Sequence, residues 1–382
     1  MNLLYTSMNV VYVYASFATW GGVERIMIDK MNYLARLEGC HVYAITYDQG
    51  DHSMPYELDS SVSHFDLKVR THAKYQYWGL RRLWEGWRRS RCLHRRLGYA
   101  LSQLSPDVIV TTTSGELSIL LKLKGKTPLI VESHGGYGHL IDYSAMTLAH
   151  RWDIRCRYQL IRKADVIVSL TESDASRWRK EYLQVKVIPN IVHLNPTCNY
   201  SDASSKRIIF VGRLAKQKDI PSLLAVWKIV FNRYSDWQLD VYGEGEFAEL
   251  CRSIDGIVVH SPTSNIFTCY CESSILLLTS YWEPFGLVIP EAMSCGLPIV
   301  SFEGDGPCEI INNGVDGFII KDRNIDEFAE KVCELIENVE LRQKMGKNAI
   351  QKAQRYSADR IVPMWKKLFD SFTSVRLNFP EH

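Results

Sequence analysis

Short apolar runs alternate with amphipathic, helix-patterned stretches along nearly the whole chain. In the first half the runs are VVYVYA near Val10, VYAIT at Val42, DVIVTT at Asp107, PLIVES at Pro128, DVIVSL at Asp165 and VKVIPN at Val185. They are short and rich in β-branched residues, which reads as strands; alternation with helices predicts a parallel sheet covered on both faces. A polar interval without periodicity follows over residues 195–206 and reads as a linker. The alternation then restarts with RIIFVG at Arg207, WQLDVYG at Trp237, GIVVH at Gly256, SILLLTS at Ser274, LPIVSF at Leu297 and GFII at Gly317. The expected organisation is therefore two doubly wound α/β domains, 1–194 and 207–355, joined by 195–206. A terminal helix is expected over 356–382, with Trp365 and Phe369 four apart on one face, and is taken to pack back on the first domain.

Open parallel sheets bind ligands beyond the carboxyl ends of their strands, so the loops that follow strands are where chemistry is expected, in a cleft faced by both domains. The densest is YWEPFGLVIPEAMSCGLPIVSF. Glu283 lies in its turn and Glu291 on the helix that begins near Leu287, while the amides from Gly286 to Val288 form a helix start suited to a phosphate. Carboxylates accept from hydroxyls, so the two acids suit a sugar and a ribose diol. Cations to balance a diphosphate are found in FVGRLAKQKDI, where Arg213 and Lys218 follow a strand. Arg can grip phosphate oxygens in a fork and Lys acts as a point charge. TWGGVERI places Gly21 and Gly22 before a helix, permitting close backbone approach. ESHGGYGH sets His134 just past a strand, beside Gly135, Gly136 and Gly138.

These motifs together resemble the retaining glycosyltransferases of family 4, with the GT-B fold of two Rossmann-like domains facing a central cleft. The resemblance is specific at E-x7-E, Glu283 to Glu291, and at G-R-x4-K, Gly212, Arg213 and Lys218; the early Gly-Gly and the His134 loop extend it over both domains. It implies that Arg213 and Lys218 hold the donor diphosphate, with Gly22 near the distal phosphate. Glu291 would take the ribose and Glu283 the donor sugar, helped by the backbone of Phe285, Gly286 and Leu287, with His134 by the sugar's C6. The first domain would bind the acceptor and the second the nucleotide sugar. No cofactor and no metal are expected, the cations standing in for one, and no side-chain nucleophile is assigned.

GEGEFA, which opens at Gly243, matches a dinucleotide fingerprint, but the next strand ends at His260 rather than at an acid, so the fingerprint lacks its second half. Gly243 and Pro262 are expected near the donor's base instead. Glu303, Asp305 and Glu309 lack convergent His or Cys and read as a loop beside the donor rather than a metal site.

Composition narrows the class. The chain is 46% hydrophobic and 23% charged, ordinary for a folded globular protein. A net charge of +2 argues against a general nucleic-acid binder. The ten cysteines are scattered without metal-ligand spacing, which fits reduced thiols and a cytoplasmic setting. MNLLYTSMNVVYVYASF has no basic start and reads as a first strand rather than a leader. No apolar stretch is long enough to span a bilayer, so membrane contact would be peripheral, on the cytoplasmic face. Such contact has a candidate in the cationic segment from Lys68 to Arg96. There Leu83, Trp84, Trp87, Leu97 and Leu101 keep a helical period, and Arg81, Arg82, Arg88, Arg89, Arg91 and Arg95 are expected on the opposite face, towards anionic lipid or an acceptor's pyrophosphate.

The function expected is transfer of a hexose or N-acetylhexosamine from a UDP-sugar to a glycan acceptor, a lipid-linked oligosaccharide or surface-polysaccharide intermediate. The alternatives are a nucleotide-sugar epimerase or hydrolase on the same fold, and a non-catalytic peripheral membrane-binding protein; the second should have lost Arg213, Lys218, Glu283 and Glu291, and all remain.

Overall fold

The computed structural model of the protein describes residues 7–113, 115–137, 148–197 and 199–377, the side chains of 148–151 and 373–377 excepted. The chain divides into two compact units, Met1–Ile191 with Val362–His382, and Val192–Ile361.

In the first unit seven parallel strands run in the order β3-β2-β1-β4-β5-β6-β7. They are β1 (Met8–Tyr14), β2 (Cys40–Thr46), β3 (Ser63–Asp66), β4 (Val108–Thr112), β5 (Leu129–Ser133), β6 (Val166–Ser169) and β7 (Val185–Val187). The central β4 and β5 are buried along their whole length, as expected of strands covered on both faces. The edge strand β3 was not expected from the sequence. Its SHFD has a single large apolar residue, and Phe65 is exposed, so no apolar run marks it.

The second unit holds six parallel strands, all expected, in the order β10-β9-β8-β11-β12-β13. These are β8 (Arg207–Val211), β9 (Gln238–Tyr242), β10 (Ile257–His260), β11 (Ile275–Leu278), β12 (Ile299–Phe302) and β13 (Gly317–Ile320). Trp227, Phe210, Phe302 and Phe328 fill its core. In both units the order reverses beside the first strand, between β1 and β4 and between β8 and β11. Ligands of doubly wound sheets sit at such switch points.

The segment 195–206, expected as a linker, instead belongs to the second unit. Its backbone is bound there: Ser201 N donates to Cys295 O at 2.8 Å, and the buried Arg342 guanidinium donates to Ala203 O at 2.6 and 3.1 Å. The polar composition reflects real exposure, since most of these residues face solvent, but the segment is fastened through its backbone and the buried Ala203. The last helix, Ala358–Leu377, carries the chain from one unit into the other, and Trp365 and Phe369 stand 5.7 Å apart between ring centres.

Candidate functional site

In the second unit the loops leaving the switch-point strands β8 and β11 carry most of the expected residues. After β8 the chain passes Gly212 and Arg213 into a 3-10 turn, Lys216–Lys218. Lys218 Nζ pairs with Glu283 Oε2 from the loop after β11, and Ser280 Oγ donates to the same oxygen at 3.2 Å. Both side chains are largely buried, at 14% and 12% exposure. The sequence assigns Lys218 to a phosphate and Glu283 to a sugar as separate groups; here they neutralise each other. Arg213 is exposed and makes no side-chain hydrogen bond or ion pair among the described residues.

A second ion pair holds these loops in register. Asp219 adopts a left-handed backbone, φ 48°, and caps helix Ile220–Arg233 by accepting from Ser222 N at 3.3 Å. Its buried carboxylate also pairs with Arg323, whose guanidinium donates to Ser280 O at 3.1 Å and Thr279 O at 2.8 Å. One side chain thereby ties the loop after β8 to the loop after β11. Thr279 Oγ1 donates to Lys218 O at 2.9 Å and Gln217 Nε2 to Trp282 O at 3.0 Å, which closes the same junction.

Gly286 follows with φ 85°, and a Cβ there would stand 2.9 Å from Glu283 Cγ, so only glycine fits the turn. The amides of Gly286, Leu287 and Val288 donate no hydrogen bond among the described residues. Phe285 is 2% exposed and meets Tyr356 edge-on at 5.5 Å, so its ring is core and only its backbone is available to a ligand. Glu291 is buried in helix Val288–Ser294. Leu287 is half-buried.

Gly243 has a reason of its own to be glycine. A Cβ would fall 1.9 Å from Gly212 O, so the loop after β9 lies directly on the loop after β8. Asp240 beneath is gripped by Arg207 at 2.8 Å and His260 at 2.7 Å, and the His260 ring stacks on Tyr242 at 4.4 Å. The strand end where a dinucleotide fold needs an acid is therefore engaged in holding the sheet. Pro262 is exposed beyond it. Glu303 Oε1 accepts from Asp322 N at 3.1 Å, and no group of three His, Cys, Asp or Glu among the described residues is placed to hold a metal ion.

In the first unit, Gly21 caps helix Gly22–Ala35, and a Cβ at Gly22 would meet nothing within 4 Å, so its backbone is open to approach. His134 follows β5 directly and is 9% exposed. Its Nε2 lies 2.8 Å from Glu132 Oε2, with the ring N–H off the line to that oxygen, and Lys30 Nζ pairs with the same oxygen. Glu132 Oε1, His134 Nδ1 and Tyr12 Oη are all buried without a partner among the described residues. Burial pushes the Glu132 carboxyl up, but the Lys30 charge and the His134 contact outweigh it and hold it at about 2. Burial pulls the Lys30 ammonium below its usual value. The Trp365 ring lies 4.3 Å from Lys30 Nζ on the unit's return segment. Downstream, buried Asp174 accepts from Tyr137 N at 2.6 Å and anchors the loop that carries His134. Gly138 lies outside the described residues.

The basic segment forms helix Gly79–Leu104, with Leu97 and Leu101 buried as expected. Its first half is arranged differently from the expectation. Leu80, Leu83, Trp84 and Trp87 are 84, 70, 55 and 57% exposed, while Glu85 is turned inwards at 6%. Glu85 takes Arg88 at 2.8 Å and Arg89 at 3.2 Å, and Arg89 also donates to Val69 O and Arg70 O. Arg88 and Arg89 are thus engaged by the protein, whereas exposed Arg81, Arg82 and Arg91 lie over Tyr77, Tyr75 and Trp87 at 4.5 to 4.7 Å. Periodicity finds a stripe but not the neighbour that would cover it, and here the buried Glu85 pairs with two arginines and draws Arg89 to the inner side.

Residues 20–195 match the sequence model of Glycosyltransferase Family 4, and residues 199–352 that of Glycosyl transferases group 1. The chain belongs to this glycosyltransferase family. The transferase is 27% identical over 361 residues to an uncharacterized glycosyltransferase of Haemophilus influenzae, covering 91% of this chain and 95% of the relative. It is 27% identical over 281 residues to the amylovoran biosynthesis glycosyltransferase AmsD of Erwinia amylovora, covering 69% and 78%. Its fold is similar to that of S. aureus TarM in a complex with fondaparinux, α-GlcNAc-glycerol and UDP, with a TM-score of 0.73 and 14% identity over 95% of this chain and 99% of that one. The two parallel sheets are those of the GT-B fold.

Lys30, Glu132, Asp174, Asp219 and Arg323 of the transferase were not expected from sequence. Only Asp219 carried a signal, since Asp followed by Ile-Pro at a helix start is a cap.

Proposed function

We propose that this transferase moves a hexose or N-acetylhexosamine from a UDP-sugar to a glycan acceptor, with retention and without a metal ion. The acceptor is a lipid-linked oligosaccharide or surface-polysaccharide intermediate, met at the cytoplasmic face of a membrane. The observation that carries this reading is the junction of the loops after β8 and β11, where Lys218 and Glu283 share one charge-balanced contact beside exposed Arg213 and three amides without acceptors among the described residues. Arg213 grips the diphosphate, and Lys218 exchanges Glu283 for a phosphate oxygen. Glu283, released, accepts from the sugar's hydroxyls, and Glu291 from the ribose. Gly243 and Pro262 border the base. Gly21, Gly22 and His134 of the first unit keep the roles that the family resemblance implies.

The acceptor hydroxyl forms its bond to the anomeric carbon on the face from which the diphosphate departs. The C1–O bond breaks with its electron pair going to UDP, and the acceptor proton passes to the departing phosphate oxygen. Cations near that oxygen gain strength as charge develops there. TarM's bound UDP supports the nucleotide, and the amylovoran role of AmsD supports a polysaccharide product.

Calorimetric titration with UDP tests the junction. Lys218→Ala should weaken UDP by about 10-fold or more, the worth of a charge-assisted contact. Glu283→Gln, which removes the competitor for Lys218, should tighten UDP by roughly 5-fold while slowing sugar transfer. Absence of UDP binding in the unaltered protein, or an unchanged constant in Lys218→Ala, removes the reading. Release of UDP-linked sugar to water or its epimer, with no acceptor consumed, would favour the hydrolase or epimerase alternative.

A further inference from the structure

The first unit contains a buried ion pair, Lys30 with Glu132, to which the transfer chemistry above gives no role. Glu132, on β5, receives Lys30 from helix Gly22–Ala35 and the His134 ring on one oxygen, and all three side chains are at most 5% exposed. Taking two charges out of water costs several kcal/mol per ion before their attraction is counted, and an apolar pair of similar volume often serves stability as well or better. Stability alone is a poor reason for this arrangement. The unpaired atoms around it point elsewhere: Glu132 Oε1, Tyr12 Oη and both ring nitrogens of His134 are buried with no hydrogen bond among the described residues, Nε2 reaching Glu132 Oε2 as a close contact at 2.8 Å. Buried polar groups are normally satisfied, and those left over mark a place where water or a ligand completes the set.

The chemistry decides which proton His134 carries. An ionised carboxylate can only accept, so the nitrogen 2.8 Å from Glu132 Oε2 must hold its hydrogen rather than face that oxygen with a lone pair. In the neutral ring Nδ1 is then the lone-pair nitrogen, a hydrogen-bond acceptor. Lys30 keeps Glu132 in the ionised form that enforces this choice, and Trp365 covers Lys30 from the return segment.

We propose that Lys30 and Glu132 are positioning residues that lock His134 in the Nε2–H tautomer, so that Nδ1 accepts a hydrogen bond from a hydroxyl of a carbohydrate substrate. The proposal rests on the transferase reading for its ligand class, while the tautomer is a property of the protein alone. A hydroxyl donor satisfies Nδ1; a carboxylate or phosphate oxygen does not, because it brings no proton. The lock thereby favours hydroxyl groups over oxyanions at this position.

The test is a long-range nitrogen–proton correlation spectrum of the histidine-labelled full chain, the His134 signals being identified by their loss in His134→Gln. The unaltered protein should show the Nε2–H tautomer alone. The double variant Lys30→Met with Glu132→Gln removes both charges at near-constant volume, so it retains the fold where a single change would strand the other ion. In it the two tautomers should mix, and transfer at saturating donor should fall about 10- to 100-fold, the usual cost of losing an orienting partner. Lys30→Arg alone, which preserves the charge, should keep the single tautomer. An Nδ1–H or doubly protonated ring in the unaltered protein, or an unchanged tautomer in the double variant, overturns the proposal. UDP titration of the same samples separates the two readings: loss of UDP binding with the tautomer fixed sinks the transferase assignment and not the lock, and the reverse result sinks the lock alone.

Discussion

Lys30 and Glu132 stand 102 positions apart in sequence and meet on one oxygen inside the first unit. Removing one partner leaves an uncompensated buried charge, so Glu132→Ala should cost about 3–5 kcal/mol in denaturant unfolding followed by the fluorescence of Trp178. The paired change to Met and Gln should cost much less. The pH dependence follows from the carboxyl's position at about 2 against an ordinary value of 4.5. A carboxyl depressed on folding stabilises the native state above its unfolded value, and that contribution is lost as pH falls from about 4.5 towards 2. The stability difference between the unaltered protein and the double variant should therefore shrink over that interval. A difference that stays flat across it would place the ionisation of Glu132 elsewhere. None of this could be read from the linear chain. A lysine in an amphipathic helix and a glutamate at a strand end each look solvated until the fold places them together, whereas Glu283, Glu291, Arg213 and Lys218 announce themselves by spacing within short motifs.

At the scale of elements, the strands of the second unit were legible because each is a short, mostly apolar run bounded by glycine, proline or polar residues, even β9 with Asp240 in its middle. Strand β3 was not, since an edge strand paired on one side needs little apolar surface. Helix Gly79–Leu104 was legible as a helix but not in its orientation. Its exposed Trp84 and Trp87 beside Arg81, Arg82 and Arg91 combine apolar area with positive charge, the pattern of a helix lying on an anionic bilayer. No helix among the described residues is long and apolar enough to cross one. Neutralising Arg81, Arg82 and Arg91 should weaken flotation with phosphatidylserine vesicles by roughly 100-fold, at about 1 kcal/mol per basic residue. Trp84→Ala with Trp87→Ala should also reduce flotation while moving stability by no more than about 0.5 kcal/mol each, as exposed side chains do. Equal flotation of all three proteins would return the helix to a solvated role. Arg88 and Arg89 are poor choices for this experiment, because Glu85 already holds them.

For the molecule as a whole, the two sheets and their helical layers followed from alternation alone, but the boundary did not. Polar residues from Asn195 to Lys206 suggest a tether, and only Arg342, more than a hundred residues later, shows that Ala203 is built into the second unit. Moving the boundary to Val192 has a practical result. The second unit is one uninterrupted stretch, Val192–Ile361, whose first residue bonds its own far end through Val192 N and Tyr356 O at 2.9 Å, whereas the first unit is assembled from two pieces. In genetic terms the second unit is a cassette inserted into a host. Expressed alone, residues 192–361 should fold and retain UDP binding within about 10-fold of the full chain. Cutting the host after Ile361 should instead unravel it, because Trp365, Leu368 and Phe369 of the missing piece belong to its interior. A cassette that is insoluble or blind to UDP would mean that the two halves cannot be separated. If it folds and keeps UDP, the proposed donor site can be exchanged between transferases by transplanting a single open-reading-frame segment, leaving both pieces of the first unit untouched.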